Sequence, residues 1–164
     1  MIVSALQNDI IWCDKEKNFE SFGKLLAAAP ASDLYVLPEM FSTGFATEPQ
    51  GVAEEEPSVS LAWMKKWAAE LGGAVAGSVS LKAADGTYRN RFFFVKPDGS
   101  YQYYDKRHLF TYGGEHHRYT SGNERVVVEY KGVRFLLTVC YDLRFPMWCR
   151  NRDEYDVMLS VASW

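Results

Sequence analysis

Short apolar runs that end abruptly at a polar or reactive residue constrain the fold of this chain more than any other sequence feature. The run at 33–37 is followed by Pro38 and Glu39, and the run at 133–139 is followed directly by Cys140. Runs of this length and composition are typical of buried strands. In the first half of the chain they alternate with segments whose apolar residues recur at helical spacing. This alternation predicts an α/β layered domain with a mixed sheet.

Helix signals fill the stretches between the early strands. We expect one helix from Asp14, a residue type suited to an N-cap, to about Ala29. A second helix is predicted to begin within 54–57, where three acids and a proline suit a helix N-terminus, and to end at Gly72.

The second half of the chain is richer in turn signals. The pairs Asp85-Gly86 and Lys131-Gly132 predict hairpins between β-like runs. The polar stretch 105–124 shows no period and predicts a long loop, and such loops in compact domains are usually functional or disordered. A further helix is expected over 142–151, interrupted early by Pro146.

Composition narrows the class of protein. The length of 164 residues suits one domain, and 48% hydrophobic with 24% charged residues suits a globular chain. A net charge of −3 argues against nucleic-acid binding, which needs concentrated Lys and Arg. No apolar run reaches the roughly 18 residues of a membrane-spanning helix. The first residues lack the pattern of a signal peptide, so we expect a cytoplasmic protein without a membrane partner.

Cysteine and histidine usage points to one reactive thiol and no metal. The chain has three cysteines, Cys13, Cys140 and Cys149. An odd and sparse count does not suit a disulfide framework. The histidines at 108, 116 and 117 do not match a zinc pattern, because an adjacent pair chelates poorly and no second cluster has ligand spacing.

Three chemically distinctive residues follow strand-like runs. They are Glu39, Lys106 and Cys140. Functional side chains in open α/β sheets collect beyond the carboxyl ends of strands, so these groups could share one pocket. Lys106 and the helix expected after Cys140 could lower the pKa of the thiol, and Glu39 could take its proton. Lys106 and the backbone N–H of Tyr141 could then hold an oxyanion.

Each of these residues also has a plainer interpretation. A free cysteine at a strand end is usually a small apolar core residue. Glu39 would more often be a solvated or salt-bridged acid, and Lys106 a surface charge. Residue types and spacing alone leave both interpretations open.

The sequence around these residues resembles three motifs of the nitrilase superfamily, the carbon–nitrogen hydrolases. LPEMFSTGF at 37–45 is similar to the glutamate motif, YDKRHLF at 104–110 to the lysine motif, and VCYDLRFP at 139–146 to the cysteine motif. They occur in the family's order, and the resemblance covers essentially the whole chain. The residues of these motifs are most similar to those of the bacterial omega-amidase branch, the YafV-like proteins.

This resemblance implies both a fold and an activity. The implied fold is the nitrilase-like α-β-β-α sandwich over 1–164, often paired into dimers or larger homo-oligomers. The implied reaction is hydrolysis of the terminal amide of 2-oxo acids such as 2-oxoglutaramate, with no metal or organic cofactor. Glu115 matches the second glutamate of the family, which helps to position the lysine and the substrate.

The implied substrate carries a carboxylate, which needs a cationic or N–H-rich anchor. Arg144, Arg118 and His117 lie near the motifs and are the candidates. Arg144 could equally brace the turn after Cys140.

The chain departs from the family in length. It stops at Trp164, inside a motif that in the family usually reads Asn-Trp-Pro, so the resemblance implies that the C-terminal part of the domain is missing. Two rival functions stay open. One is another carbon–nitrogen hydrolase activity, on a nitrile, an N-carbamoyl amino acid or another amide. The other is a non-catalytic binding protein on the same fold.

Overall fold

Two β-sheets organise the chain in the computed structural model, which describes residues 1–163. The strands are β1 (Val3–Ala5), β2 (Leu34–Val36), β3 (Glu54–Glu55), β4 (Ala74–Lys82), β5 (Tyr88–Val95), β6 (Tyr101–Asp105), β7 (Val127–Tyr130), β8 (Val133–Val139) and β9 (Val157–Val161). The α-helices are α1 (Lys15–Ala28), α2 (Val59–Leu71) and α3 (Pro146–Cys149). Short 3₁₀ turns span Thr111–Gly113, Glu115–His117 and Cys140–Arg144. The predicted α/β class with a mixed sheet is confirmed.

The larger sheet has six strands and the smaller sheet has three. In the larger sheet β1, β2 and β4 are parallel, β5 and β6 continue it antiparallel, and β3 pairs with the far end of β4. In the smaller sheet β7 and β8 form the predicted hairpin, and β9 lies parallel to β8. The parallel strands bring the carboxyl ends of β2 and β4 to one edge, where the residues after β2 can meet side chains of β4 and β5.

The side chains of β5 show how the layers join. Phe92 and Phe94 are fully buried against the smaller sheet, whereas Phe93 and Val95 point the other way, towards α1 and α2. This alternation follows from the two-residue period of a strand. Burying one such side chain contributes about 1.5–3 kcal/mol relative to leaving it exposed. The described residues therefore form α, β and β layers, in that order.

The outer face of the smaller sheet is only partly covered. Met158 on β9 is 39% exposed, whereas the next residue, Leu159, points the other way and packs against the core. Within residues 1–163, no helix longer than five residues follows β8. The first three layers of the expected sandwich are thus present in the described part of the chain.

The first predicted helix is confirmed, and the starting point predicted for the second is wrong. The Asp14 side chain caps α1 by accepting a hydrogen bond from the Lys17 N–H at 3.1 Å. At the second helix, Glu54 instead forms β3, and Ser58 caps α2. The buried Glu54 carboxylate accepts hydrogen bonds from the hydroxyls of Ser58 and Ser60, so it braces the first turn of α2 from outside.

The helix expected over 142–151 is also wrong. A 3₁₀ turn spans Cys140–Arg144, Phe145 is extended at φ −117° and ψ 79°, and the four-residue α3 follows. The residue before a proline is disfavoured in the helical conformation, so Pro146 separates the two short helical segments.

The loop at 105–124 is ordered by buried contacts. The Tyr119 hydroxyl donates to the carbonyl oxygen of Ala46 at 2.7 Å and lies 2.6 Å from the Ser80 hydroxyl. These bonds hold the loop against the segment that follows Glu39.

Among the described residues, no helix is long and apolar enough to cross a membrane.

Candidate active site

Glu39 sits in a turn directly after β2. Its side chain is fully buried, and its backbone N–H donates to the carbonyl oxygen of Ala162 at 3.3 Å. One carboxylate oxygen, Oε2, accepts a hydrogen bond from the Ser163 N–H at 3.2 Å. The next residue, Met40, has φ 47°, a left-handed conformation that reverses the chain after the strand. The turn therefore leaves a buried carboxylate between the ends of β2 and β9.

Lys106 follows β6 and points its ammonium group between two glutamates. Its Nζ lies 2.8 Å from Glu39 Oε1 and 3.0 Å from Glu115 Oε2, and none of the three side chains is exposed to solvent. Lys106 is therefore not a surface charge, and Glu39 is not a solvated acid. The sequence-predicted residues Glu39, Lys106 and Glu115 are brought together.

Glu115 is held by the loop that carries it. It begins a 3₁₀ turn, and its Oε2 accepts a hydrogen bond from the Phe110 N–H at 2.6 Å. This bond closes the loop over Lys106. Glu115 thus fixes both the ammonium group and the backbone of the lysine segment.

Asn90 is a site residue that the sequence reasoning missed. It lies fully buried on β5, and its Nδ2 donates to Glu39 Oε1 at 2.8 Å and to Glu115 Oε1 at 3.1 Å. Its position in a β-like run was the only available signal: an amide flanked by Arg89 and Arg91, ahead of three phenylalanines, is an unusual residue to bury in a strand.

Cys140 lies directly after β8 in a strained turn. Its φ of 44° is in the left-handed region, which is uncommon for residues other than glycine. Strain of this kind persists only where surrounding structure enforces it, and it concentrates at functional sites. The turn presents a half-buried thiol at the end of the strand rather than in the core.

Asp142 holds the Cys140 turn and the lysine segment together. Its buried carboxylate accepts hydrogen bonds from the Val139 N–H at 2.9 Å and from the His108 N–H at 2.9 Å. It also accepts from the Tyr104 hydroxyl at 2.8 Å. Because Val139 and His108 flank the two reactive positions, one carboxylate fixes the distance between the thiol and the lysine segments.

The pKa of the Cys140 thiol differs from the expectation. Burial, together with the nearby charge of Glu39, raises the pKa of Cys140 to about 11 and outweighs the opposing effect of Lys106. Lys106 does act to lower this pKa, as predicted, but burial and Glu39 outweigh it. The long helix expected after Cys140 is absent from the described residues, where only short helical segments follow. At neutral pH the thiol therefore carries its proton and needs a base.

Glu39 has the properties of that base. Burial raises the pKa of its carboxyl above the ordinary value, against the opposing charge of Lys106. For Lys106 itself, burial lowers the pKa, but the two carboxylates outweigh burial and the net direction is upward. The ammonium group stays charged beside a carboxyl whose pKa lies above that of a free glutamate.

An open cleft of about 730 Å³ gives access to the Cys140 thiol and to the Glu39 carboxylate. Its lining residues are Glu39, Phe45, Phe110, Tyr112, Cys140, Tyr141, Leu143, Arg144 and Ser163. Tyr141 lies in the first turn of the 3₁₀ segment, where backbone N–H groups have no intrahelical acceptor. The wall of the cleft is largely aromatic, with the rings of Phe110 and Tyr141 packed edge to face 5.2 Å apart.

The three candidate anchors for the substrate carboxylate lie in different surroundings. Arg144 lies on the cleft, is exposed, and makes no hydrogen bond or ion pair within residues 1–163. It therefore does not brace the turn after Cys140 in the described part of the chain. Arg118 instead pairs with Glu48 at 2.8 Å on the surface, and His117 stacks beside His116 away from the cleft.

Metal-ligating residues are not clustered in this part of the molecule. No group of three or more His, Cys, Asp or Glu side chains among residues 1–163 is placed to hold a metal ion. The ring of His108 instead packs on Phe145, with its Nδ1 2.8 Å from Asp142.

Comparison with known sequences places this geometry in a family. The model of the carbon-nitrogen hydrolase family matches residues 2–163. The chain is 46% identical over 162 residues to omega-amidase YafV of Yersinia enterocolitica, covering 99% of this chain and 62% of that relative. It is 30% identical over 167 residues to 2-oxoglutaramate amidase of Bacillus subtilis, covering 99% of this chain and 64% of that protein. The chain thus spans less than two thirds of the length of both relatives.

A solved structure agrees with this assignment. The chain superimposes with a TM-score of 0.94 and 45% identity on XC1258 from Xanthomonas campestris, a CN-hydrolase superfamily protein with an arsenic adduct in its active site. The match covers 99% of this chain and 64% of that one. The three motifs, the joined α, β and β layers and the buried glutamate–lysine pair beside a strand-end cysteine therefore have one explanation: this chain belongs to the carbon–nitrogen hydrolase family and has the nitrilase superfamily fold.

Proposed function

We propose that the protein is an amidohydrolase that cleaves the terminal amide of 2-oxo acid omega-amides, such as 2-oxoglutaramate, to a 2-oxo dicarboxylate and ammonia. The observation that carries the proposal is the half-buried Cys140 thiol, which shares one cleft with Glu39, whose buried carboxylate is paired with Lys106. The names of the relatives, omega-amidase and 2-oxoglutaramate amidase, support this substrate class.

The first half of the proposed reaction forms a thioester. Cys140 Sγ attacks the amide carbon while Glu39 takes the thiol proton, which produces a tetrahedral oxyanion. The carbon–nitrogen bond then breaks, and Glu39 returns the proton to the leaving nitrogen, so ammonia departs. The acyl group remains on Cys140. The raised pKa of Glu39 suits a residue that must first accept a proton and then donate it.

The second half releases the acid. Glu39 takes a proton from water, and the hydroxide attacks the thioester carbon. The carbon–sulfur bond breaks, the carboxylic acid leaves, and the sulfur recovers its proton from Glu39. Glu39 thus serves both halves, and no cofactor is needed to balance either step.

Lys106 and the Tyr141 N–H are the proposed oxyanion donors. An ammonium group has three N–H donors, and the proposal is that one of them turns to the substrate oxygen while Glu39 and Glu115 hold the group in place. The Tyr141 N–H belongs to the group of helix-start donors without an intrahelical acceptor. Two donors that are positioned before the reaction stabilise the developing charge without reorganisation.

Arg144 is the proposed anchor of the substrate carboxylate, because its guanidinium group lies on the cleft and is free of other partners among the described residues. Arg144→Gln should raise the KM for 2-oxoglutaramate by about 10- to 100-fold, since a charge-assisted hydrogen bond is lost. Hydrolysis of an amide of equal length without the carboxylate should change little. Steady-state kinetics on both amides measures this difference.

Arg118→Gln is the matched control, because Arg118 pairs with Glu48 outside the cleft. It should leave both KM values near those of the wild type. An equal loss on both amides in Arg144→Gln would instead assign Arg144 a general structural role.

A substrate panel tests the proposed function against its rivals. Ammonia release should be fastest from 2-oxoglutaramate and slow or absent from a nitrile and from an N-carbamoyl amino acid. Faster turnover of either rival compound would reassign the substrate within the family. A folded, complete protein that turned over none of them, and whose Cys140 did not react with a thiol-directed amide analogue, would favour a non-catalytic binding role.

We also propose that the protein is cytoplasmic and works as a homodimer or larger homo-oligomer on a small-molecule amide, without nucleic-acid or membrane partners. Exposed apolar side chains beside the cleft support self-association: Met147 is 73% exposed and Leu143 is 44% exposed. Light scattering of the complete protein measures the assembly, and a monomer at micromolar concentration would contradict it.

A further inference from the structure

Two buried carboxylates share one cation in this site, which is an electrostatically costly arrangement. Glu39 and Glu115 both contact Lys106, so the three ionised groups together carry one net negative charge away from solvent. Uncompensated charge in a protein interior is strongly destabilising unless hydrogen bonds satisfy it. The side-chain donor within hydrogen-bond distance of both glutamates, besides Lys106, is the Asn90 amide.

We propose, on the basis of the function proposed above, that Asn90 is a positioning residue that keeps Glu39 ionised and correctly oriented for proton transfer with Cys140. Its two N–H bonds are divided between the carboxylates: one goes to Glu39 Oε1 at 2.8 Å and the other to Glu115 Oε1 at 3.1 Å. Asn90 thereby supplies the partial positive charge that one lysine cannot provide to two acids.

The orientation of the Asn90 amide is set by a chain of hydrogen bonds. The Met40 N–H donates to Ser78 Oγ at 3.0 Å, and the Ser78 hydroxyl therefore donates onward to Asn90 Oδ1 at 2.8 Å. With its oxygen held by Ser78, the amide can present only its NH₂ group to the glutamates. The chain starts at the residue next to Glu39, so the turn that places the carboxylate also orients its donor.

The expected effect on pH dependence follows from the groups around Glu39. The titratable side chains facing it are Lys106, Glu115 and Cys140, with Tyr119 further away. A hydrogen bond to the ionised carboxylate favours the charged form and lowers the pKa of Glu39. Removing the Asn90 donor raises that pKa, so a higher pH is needed before Glu39 can act as a base.

The test is the pH profile of kcat/KM for ammonia release in the complete protein. In Asn90→Leu, which has a similar volume and no donor, the acid limb should move up by about one pH unit, and kcat/KM at neutral pH should fall about 10- to 100-fold. Asn90→Asp keeps the shape and the Ser78 bond but replaces the donor with an acid. It should move the limb in the same direction, and it keeps the test decisive if Asn90→Leu does not fold.

Phe92→Leu is the matched structural control, because Phe92 is fully buried on the same strand and the same face but contacts no acid of the site. It should lower stability while the acid limb stays at the wild-type pH. A folded Asn90→Leu or Asn90→Asp with the wild-type limb overturns the inference, and so does an equal displacement in Phe92→Leu.

A second readout separates this inference from the choice of substrate. If wild-type protein releases no ammonia from 2-oxoglutaramate, the substrate proposal fails, and the pH dependence of iodoacetamide alkylation at Cys140 replaces the kinetic profile. Peptide mass spectrometry follows Cys140, with the exposed Cys13 as an internal reference. The alkylation rate should rise first where Glu39 ionises and can take the thiol proton, below the pH at which the thiol itself titrates. The midpoint of this first rise should move to higher pH in Asn90→Leu, and an unchanged midpoint overturns the positioning role.

Discussion

Replacing Cys140 with alanine in the complete protein should lower ammonia release from 2-oxoglutaramate by about 10⁴-fold or more, because the reaction then lacks its nucleophile. The fold should persist, since the side chain is only half-buried and alanine removes a single sulfur atom. Stopped-time ammonia assays give the rate, and thermal unfolding gives the stability of the same preparation.

Cys149→Ala and Cys13→Ala are the matched controls for this prediction. Cys149 lies on the short helix after the Cys140 turn, with its thiol 3.4 Å from the Asp142 carbonyl oxygen, and Cys13 is exposed. Both variants should retain turnover close to that of the wild type. Wild-type turnover in Cys140→Ala would remove the thioester mechanism.

The same experiment has a pH dependence whose sign is set by Glu39. The base must be ionised before the thiol loses its proton, so the wild-type rate should rise with pH through the raised pKa of Glu39. The thiol itself, with a pKa of about 11, contributes little free thiolate at neutral pH. A rate that rose only through the pKa of the thiol, with no separate rise through the pKa of Glu39, would argue against Glu39 as the base.

Lys106→Met should produce the second large effect, on stability and activity together. Removing one partner of a buried ion pair costs about 3–5 kcal/mol in the free energy of unfolding, because the remaining charge has no compensation. Here two carboxylates, Glu39 and Glu115, lose their shared cation. Without the charge of Lys106 the pKa of Glu39 should rise further, and protonated Glu39 cannot accept the thiol proton.

Denaturant unfolding near neutral pH measures the stability change, and ammonia release measures the activity. Lys24→Met is the matched control, because Lys24 pairs with Glu20 at 2.6 Å on the surface and is 74% exposed. Exposed pairs contribute little, so its unfolding free energy should stay close to that of the wild type. Equal destabilisation in both variants would show that burial of the Lys106 cluster is not the cause.

The three residues proposed to react stand out in the sequence because each lies beside a strand end that the local pattern reveals, and the resemblance to the family's motifs is what favours a catalytic role for them. Glu39 and Cys140 follow uninterrupted apolar runs, and Lys106 follows an aromatic one. Strand and hairpin signals are short-range, so the hairpin at Lys131-Gly132 could be predicted from adjacent residues.

The ends of the helices were predicted less well than the strands. The start of α2 moved because Glu54 pairs along β4 and accepts hydrogen bonds from Ser58 and Ser60, a choice that depends on a strand about 20 residues later. The helix expected after Cys140 is cut short for a local reason: Phe145 precedes Pro146, and the residue before a proline is disfavoured in the helical conformation.

The largest difference between the predictions from sequence and the structure lies in the protonation of the site residues. Residue types along the chain identify an acid, an amine and a thiol, because side-chain chemistry is a local property. Burial and neighbours decide their protonation, and these depend on how β2, β5, β6 and β8 meet. The raised thiol pKa, the sharing of Lys106 between two glutamates and the role of Asn90 are therefore properties of the tertiary structure, since desolvation and Coulomb interactions act through space rather than along the chain.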